Sequence, residues 1–368
     1  MAGTEQSSDD HRYMAHALRL ARRGEYSCHP NPRVGCVVVH SGEVVGEGWH
    51  QRTGEAHAEV HALDMAGERA RGATLYVTLE PCCHSGRTLP CTDRVVQSGV
   101  SRVVAAMTDP NPDVNQRGLK QLRDAGIEVT TGVAEAEARD LNRGFIRRMQ
   151  VGMPWVTIKL ASSLDGRTAT ASGESKWITG EAARADVHRR RARSGAIMTG
   201  IGTVLADDPT LTARAPETVQ QPLRVVVDNK ARLPLTARLI EQPGATLLVM
   251  AQLAPQRVAA LRAQGVETLL LAGDDGSVSL RDLLAALAAR GVNEVLVEAG
   301  PRLCGALLRE RLMDELIVYF APHLLGDGAR GWFSLPGLDR IGERIPLQIV
   351  EVINVGKDLR LSARMDDS

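Results

Sequence analysis

Short apolar runs alternate with helical stretches along this chain, and the alternation begins twice. In the first half, an apolar run at 34–39 leads through a turn at Gly42 into a second strand ending near Trp49. Near 147–154, a basic helix end meets Gly152 and Pro154, and a new series of strands then starts. Strands that alternate with helices form a sheet covered by helices on both faces. The sequence therefore predicts two α/β domains, at residues 1–150 and 151–368.

Hydrophobic periodicity predicts the individual elements. In the first half, a helix starts with Asp10 as its cap, and further helices are predicted at 56–71, 91–99, 117–125 and 134–149. Strands are predicted there at 34–39, 73–79, 102–107 and 127–130. In the second half they are predicted at 155–160, 196–198, 224–227, 246–250, 268–271, 294–297 and 316–320. Two late apolar stretches, 347–352 and 359–363, have no helix between them and predict an antiparallel edge.

Charge and cysteine content limit the class of protein. Lys and Arg total 44, as do Asp and Glu, so the net charge is zero, which argues against nucleic-acid and membrane partners. The N-terminus lacks the pattern of a secretory signal, and no segment reaches the roughly 18 consecutive apolar residues of a membrane helix. Six cysteines in such a chain indicate metal binding in a reducing cytoplasm.

The strongest chemical signal is His57-Ala58-Glu59, followed by EPCCHSGRTLPC at 80–91. Zinc accepts imidazole nitrogen and thiolate sulfur, and a catalytic zinc site keeps one position open for water. One histidine and two cysteines would supply three ligands, while Glu59 could move protons. This layout is typical of nucleobase deaminases, which replace an exocyclic amine by oxygen.

The cysteine spacing leaves the second ligand open. Deaminases commonly have P-C-x-x-C, whereas Cys91 stands nine positions after Cys82. Cys82 is preferred to Cys83 because it directly follows Pro81. The alternative is a structural zinc site without catalysis, for which His84 could supply a fourth ligand.

Longer segments resemble the bifunctional pyrimidine deaminase/reductases of riboflavin biosynthesis. In the first half they are HPNPRVGCVVV (29–39), GWHQRTGEAHAEVHAL (48–63) and TLEPCCHSGRTLPC (78–91). In the second half they are KLASSLDGRTATASGESKWIT (159–179), TVLADDPTLTAR (203–214), VEAGP (297–301) and DELIVYFAPHLLG (314–326). A transfer-RNA adenosine or free cytidine deaminase with an unrelated second domain would leave the later segments unexplained.

The resemblance implies a cytidine-deaminase-like α/β/α domain followed by a dihydrofolate-reductase-like α/β domain. It implies zinc-dependent hydrolytic deamination of 2,5-diamino-6-(5-phosphoribosylamino)pyrimidin-4-one, then NADPH-dependent reduction of the ribosyl side chain to ribityl. The implied cofactors are Zn²⁺ and NADPH, and the implied partners are this phosphoribosylaminopyrimidine substrate and further copies of the chain in a homo-oligomer.

The resemblance also assigns roles by position. In the first domain, the zinc ligands are His57, Cys82 and Cys91, the proton carrier is Glu59, and the substrate contacts are Asn31 and His50. In the second domain, the cofactor contacts are Ala161, Trp177, Thr203, Asp207, Asn229, Gly300, Pro301, Arg302, Leu303, Cys304, Gly305 and Ala306. The substrate contacts there are Ser175, Arg191, Leu211, Arg214 and Glu298.

Physical arguments support some of these assignments and leave alternatives for others. A strand–glycine–helix junction at Gly300 offers backbone N–H groups to a phosphate, although such a glycine is often only a turn. Arg191 and Arg214 suit a phosphorylated substrate, but Arg191 lies in an RRRAR run that is also typical of a solvated helix face. For Asn31 and His50 the alternatives are a turn residue and a surface side chain.

Overall fold

The computed structural model describes residues 2–83, 90–112, 114–215 and 220–366, with side chains from residue 8 onward. The chain divides into two compact units, Met1–Gly152 and Met153–Ser368. This division lies two residues beyond the boundary predicted at 150/151. Within the described ranges, no helix combines the length and apolar character needed to cross a bilayer.

The first unit is built around a five-stranded sheet. Its strands are β1 (Gly35–His40), β2 (Glu43–Trp49), β3 (Thr74–Val77), β4 (Arg102–Ala105) and β5 (Glu128–Thr131). Its helices are α1 (Ala2–Ala21), α2 (Ala58–Ala66), α3 (Cys91–Ser98), α4 (Arg117–Asp124), α5 (Glu135–Leu141) and α6 (Arg143–Val151). The strand order is β2-β1-β3-β4-β5, and β3, β4 and β5 are parallel. Their carboxyl ends therefore share one edge of the sheet.

Alternation along β1 distributes apolar side chains to two cores, one on each face of the sheet. Cys36 and Val38 join a cluster packed under α2, α3 and α4. Val37 and Val39 join a second cluster under α1, α5 and α6. Successive side chains of a strand point to opposite faces, so a strand that is apolar throughout requires this three-layer arrangement.

Asp10 does not cap α1, because the helix already begins at Ala2. Its side chain is buried, accepts a hydrogen bond from the Tyr76 hydroxyl at 2.9 Å, and pairs with both terminal nitrogens of Arg102 at 2.8 Å. The prediction of a cap was wrong because the partners that fix this carboxylate are distant in sequence.

The second unit contains a nine-stranded sheet. Its strands are β6 (Trp155–Ser163), β7 (Ala196–Gly200), β8 (Leu223–Val227), β9 (Thr246–Met250), β10 (Glu267–Leu270), β11 (Glu294–Val297), β12 (Glu315–Ala321), β13 (Leu347–Val355) and β14 (Asp358–Met365). Its helices are α7 (Glu181–Arg193), α8 (Ile201–Asp207), α9 (Arg238–Glu241), α10 (Pro255–Ala263), α11 (Leu280–Ala289) and α12 (Pro301–Arg309). The strand order is β10-β9-β8-β7-β11-β6-β12-β14-β13.

Seven strands of this sheet are parallel, whereas β14 and β13 run antiparallel, as the sequence predicted. Ligands of open α/β sheets bind beyond the carboxyl ends of parallel strands. The ends of β8, β7, β11 and β6 are neighbours in this sheet. Residues that follow these four strands are therefore the ones positioned to form a site.

Candidate functional site

A cavity of about 490 Å³ lies in the first unit. The sequence-predicted residues that line it are Asn31, His50, His57, Glu59 and Cys82. Further wall residues come from the segments that follow β3 and β4 and from α6, and they include Glu80, Asp109, Asn111, Val114, Phe145, Arg148 and Met149. This volume is in the range of small-ligand sites.

Three side chains of types that bind metals meet beside this cavity, and two of them, His57 and Cys82, line it. His57 is the N-cap of α2, and Cys91 is the first residue of α3. His57 Nδ1 lies 3.2 Å from Cys91 Sγ and 3.6 Å from Cys82 Sγ, and the three donor atoms lie within 4.8 Å of one another. Zinc bonds of about 2.0–2.3 Å in tetrahedral geometry separate such ligands by roughly 3.3–3.8 Å, so the donor set fits zinc.

The geometry distinguishes between the two candidate cysteines. Cys82 belongs to the three-residue group and Cys83 does not. The Cys91 backbone N–H also donates to Cys82 Sγ at 3.4 Å, which orients that sulfur toward the group. His84, the alternative fourth ligand, lies outside the described residues.

Hydrogen bonding within the cluster favours one thiolate. The hydrogen bond between the two thiols lowers the pKa of Cys82 and raises that of Cys91. The hydrogen bond to Cys82 raises the pKa of His57 above its ordinary value. A thiolate is the form of cysteine that binds metal, so the lowered pKa of Cys82 favours binding of a cation by the cluster.

Glu59 lies in the first turn of α2 and is 3% exposed. Burial raises the pKa of its carboxyl group to about 7. The side chain lines the cavity together with His57, two residues before it. It therefore has the place that a proton carrier needs, beside the ligand cluster and facing the space a substrate would occupy.

Asn31 and His50 are held together at the wall. The Asn31 side-chain amide and His50 Nε2 are 3.0 Å apart, and His50 Nδ1 lies 3.3 Å from the Ala56 carbonyl oxygen. Burial lowers the pKa of His50, so its neutral ring donates through Nδ1 and accepts from Asn31 through Nε2. His50 is 2% exposed, which excludes the alternative of a surface side chain.

Several wall residues were not identified from the sequence, namely Glu80, Asp109, Asn111 and Arg148. Asp109 and Asn111 come shortly after the apolar run of β4. Polar residues after a parallel strand are a usable signal, because ligands bind at that edge. Arg148, near the end of α6, gave no comparable signal.

In the second unit, Glu298 directly follows β11 and is paired with two cations. Arg191 Nε and Nη2 lie 2.5 and 3.0 Å from its two oxygens, and Lys159 Nζ lies 3.4 Å from one of them. Burial opposes ionisation, but the charges of Arg191 and Lys159 outweigh it and lower the pKa of Glu298 to about 2. The side chain of Arg191 is 14% exposed, which excludes a solvated helix face for it.

Other predicted substrate contacts lie close to this pair. Arg191 Nη1 donates to the Thr212 carbonyl oxygen at 3.1 Å, next to the buried Leu211. Arg214 Nη2 lies 2.8 Å from His188 Nε2. Burial, together with the charges of the two arginines, lowers the pKa of His188 to about 4. Two guanidinium groups, a carboxylate and a neutral imidazole are thus gathered on one side of the sheet.

The predicted cofactor contacts follow the four adjacent strands. They comprise Ala161 near the end of β6, Thr203 and Asp207 in α8 after β7, Asn229 after β8, and Gly300 after β11. Ser175 Oγ lies 3.4 Å from Asp207 Oδ1, and Trp177 is 73% exposed. Asn229 Oδ1 accepts a hydrogen bond from the Val278 N–H at 3.2 Å.

The segment from Gly300 to Ala306 has two parts in the structure: a first turn whose N–H groups have no partner in the helix, and a largely buried remainder. Gly300 is the N-cap of α12, and the first-turn N–H groups of Arg302 and Leu303 have no acceptor within the helix. Cys304 is fully buried, and its N–H donates to the Gly300 carbonyl oxygen at 3.2 Å. A Cβ atom at Gly305 would lie 2.3 Å from the Ser334 carbonyl oxygen. Only the first turn can therefore offer N–H groups to a ligand.

Family comparisons give the class of protein that the fold and the sites define. The model described as "Cytidine and deoxycytidylate deaminase zinc-binding region" matches residues 7–107. The model described as "RibD C-terminal domain" matches residues 154–361. The protein is thus an enzyme with a zinc-binding deaminase domain followed by a reductase domain, and the predicted fold class is confirmed.

Individual relatives identify the family. "Riboflavin biosynthesis protein RibD" of Escherichia coli (strain K12) is 50% identical over 364 residues, covering 96% of this chain and 98% of the relative. The solved structure of Acinetobacter baumannii RibD, form 1, has a TM-score of 0.91 and 46% identity, covering 98% of this chain and all of that one. The diaminohydroxyphosphoribosylaminopyrimidine deaminase/5-amino-6-(5-phosphoribosylamino)uracil reductase of Thermotoga maritima has a TM-score of 0.87 and 33% identity at the same coverage.

The chain belongs to the RibD family of riboflavin biosynthesis. It is a bifunctional enzyme, a hydrolase in its deaminase domain and an oxidoreductase in its reductase domain, and its cofactors are zinc and NADPH. The function predicted from the sequence is confirmed at this level.

Proposed function

We propose that the first domain deaminates 2,5-diamino-6-(5-phosphoribosylamino)pyrimidin-4-one and that the second reduces the ribosyl side chain of the product to ribityl. The observation that carries this proposal is the grouping of His57, Cys82 and Cys91 at a cavity that buried Glu59 also lines. The Thermotoga maritima relative is named as a deaminase and a reductase for compounds of these two types, which supports the order.

In the deaminase domain, His57, Cys82 and Cys91 hold zinc, which when bound supplies an electrophilic centre that acidifies water. Glu59 accepts a proton from the attacking water and delivers it to the leaving amine, so that ammonia departs neutral. Asn31 and His50 hold the pyrimidine. The bond from Asn31 to His50 Nε2 fixes the amide, which orients its carbonyl oxygen for an exocyclic amine.

In the reductase domain, bound NADPH supplies the hydride. The N–H groups of Arg302 and Leu303 at the start of α12 hold its pyrophosphate, with further contacts from the residues that follow β6, β7 and β8. Arg191 and Arg214 bind the phosphate of the substrate, because planar guanidinium groups make bidentate hydrogen bonds to it. Glu298 orients Arg191 and faces the same region.

A chelator experiment tests the two-domain proposal. The protein is incubated with the diaminopyrimidine and NADPH, and both ammonia and NADPH are measured. Removal of zinc is expected to stop ammonia release while circular dichroism and reduction of the deaminated compound are retained. A structural zinc site would be supported instead by two results together: the zinc-loaded protein releases no ammonia, and the deaminase domain unfolds when zinc is removed.

Acid sensitivity of the reductase domain is a second expectation. Since the folded pKa of Glu298 is about 2, below its ordinary 4.5, its ion pairs stabilise the native state fully above about pH 5. This stabilisation is lost as the pH falls from about 4.5 toward 2. Urea midpoints measured by tryptophan fluorescence should fall over this range in the wild type and less steeply in Glu298→Gln. Asp274→Asn, at an exposed carboxylate, is the matched control and should follow the wild type.

We also propose that the enzyme acts in the cytoplasm as a homo-oligomer, with no nucleic-acid or membrane partner. Support comes from β13, which is the edge of its sheet and exposes apolar side chains, namely Leu347, Ile349, Val350, Val352 and Ile353. An edge strand with exposed apolar side chains can pair with a strand of another chain. The proposed occupant is β13 of a second copy.

A charge on β13 is expected to prevent this association. Ile349→Asp should shift the sedimentation coefficient to that of a monomer, because an ionised carboxylate resists burial in an apolar interface. Leu253→Asp is the matched control, since Leu253 is also exposed, at 78%, but lies outside this strand. An unchanged coefficient for Ile349→Asp would exclude β13 as the interface.

A further inference from the structure

The carboxylate of Glu80 is 3% exposed and accepts four backbone hydrogen bonds. Their donors are the N–H groups of Asp109 at 3.0 Å, Gln116 at 2.9 Å, Gly118 at 3.0 Å and Leu119 at 3.3 Å. We call this set of contacts the Glu80 bracket. A buried carboxylate is stable only when its lone pairs are satisfied, and within the described residues four backbone N–H groups satisfy those of Glu80.

The two oxygens hold two different pieces of backbone. Oε2 accepts from Asp109, within the loop between β4 and α4, and from Gln116, the last residue of that loop. Oε1 accepts from Gly118 and Leu119, in the first turn of α4. First-turn N–H groups lack acceptors within their helix, and a negative charge is favourable at a helix N-terminus. The bracket thus takes the place of an N-cap for α4. It also holds Asp109 and Gln116, in the loop before this helix, to the same carboxylate.

The bracket connects this loop to the segment after β3 that carries Cys82, a predicted zinc ligand. Glu80 stands two residues before Cys82, and its own N–H donates to the Met107 carbonyl oxygen at 3.0 Å. Asp109 and Asn111, in the bracketed loop, line the cavity, and Asp109 Oδ1 accepts from the Asn111 N–H at 2.8 Å. One carboxylate therefore fixes a cavity wall relative to the metal-binding segment.

Close packing at Gly118 reinforces this connection. A Cβ atom at Gly118 would lie 2.2 Å from the Pro81 carbonyl oxygen, so that the start of α4 touches the residue directly before Cys82. A separation under 3 Å to backbone cannot be relieved by a side-chain rotation. Any larger residue at this position must push α4 away from Pro81.

We propose that Glu80 is a positioning residue of the deaminase site, which sets substrate affinity by holding Asp109 and Asn111 at a fixed place relative to Cys82. This inference rests on the deaminase function proposed above. In this role Glu80 acts through the backbone that it holds, because its two oxygens accept from the four N–H groups.

Glu80→Gln tests the proposal with little change of volume. The glutamine oxygen can still accept two of the N–H groups, but its own NH₂ group then faces the other two donors. The KM for the diaminopyrimidine is expected to rise about tenfold or more, because an unsatisfied buried donor shifts the loop. The kcat should change less than about threefold, and zinc content and reduction of the deaminated compound should stay at wild-type values.

Two further variants separate positioning from stability. Asp10→Asn alters a buried carboxylate of the same domain that does not line the cavity, so it should lower the Tm and leave KM unchanged. Gly118→Ala disturbs the bracket from the opposite side with the Glu80 carboxylate intact, and should reproduce the rise in KM. It also keeps the proposal testable if Glu80→Gln does not fold.

The outcomes are distinct. A raised KM in Glu80→Gln and Gly118→Ala, with Asp10→Asn unchanged, supports the inference. A lower Tm with unchanged KM in both Glu80→Gln and Gly118→Ala overturns it, since Glu80 would then act on stability alone. If the wild type itself releases no ammonia from the diaminopyrimidine, the proposed function fails instead.

Discussion

Glu59→Gln is expected to lower the rate of ammonia release by about 10²–10⁴-fold, the usual contribution of a positioned acid–base group. The variant keeps the size of the side chain and removes its ability to carry a proton. Glu59 is not among the three grouped ligands, so zinc content measured by atomic absorption should equal that of the wild type. Reduction of the deaminated compound should also be unchanged, because that site lies in the other unit.

A matched control uses another carboxylate of the same cavity. Glu55 also lines it but is exposed to solvent, so Glu55→Gln should retain deamination within a few-fold. Deamination by Glu59→Gln at close to the wild-type rate would remove Glu59 from the mechanism. Loss of zinc from the variant would instead show that Glu59 supports the metal site.

Cys91→Ser is expected to lose zinc and deamination together and to keep reductase activity. A hydroxyl is a poor substitute for a thiolate in a site built from two sulfurs and one imidazole nitrogen, and removal of one of three ligands leaves too few. Cys91 is 1% exposed at the start of α3, so a serine fits the space and the domain should remain folded. Zinc content, ammonia release and NADPH oxidation would be measured on the same preparation.

The neighbouring cysteines provide the control. Cys83 lies next to Cys82 in sequence but outside the group of three donor atoms, so Cys83→Ser should retain zinc and activity. Cys82→Ser should behave like Cys91→Ser. If Cys83→Ser lost zinc and Cys82→Ser did not, the assignment of the second ligand would be wrong.

Apolar runs were sufficient to predict most of the strands. The bounds of β9 and β11 were predicted to the residue, because both are short and buried along their whole length. The antiparallel pair β13 and β14 was also predicted, since no helix separates the two runs. Asp10 was misassigned because a helix cap and a buried ion pair look alike locally, and its partner Arg102 is 92 residues away.

Candidate site residues could be predicted where their function depends on the type of side chain. Contacts that depend on backbone N–H groups could not be predicted. His57, Cys82 and Cys91 are residue types that bind zinc, so the sequence could nominate them, although their spacing left the choice between Cys82 and Cys83 open. The Glu80 bracket involves N–H groups 29–39 residues further along the chain, which no residue type reveals. The sequence predicted contacts along the whole segment 300–306, whereas the side chain of Cys304 is buried in the core.

The most direct test of the central claim, two ordered activities in one chain, is NADPH oxidation by the wild type and by Glu59→Gln. Each protein is given the diaminopyrimidine and, separately, its deaminated product. We expect the wild type to oxidise NADPH with both compounds and the variant only with the deaminated product. Equal NADPH oxidation by the two proteins with the diaminopyrimidine would show that reduction does not require prior deamination at Glu59, and would contradict this account.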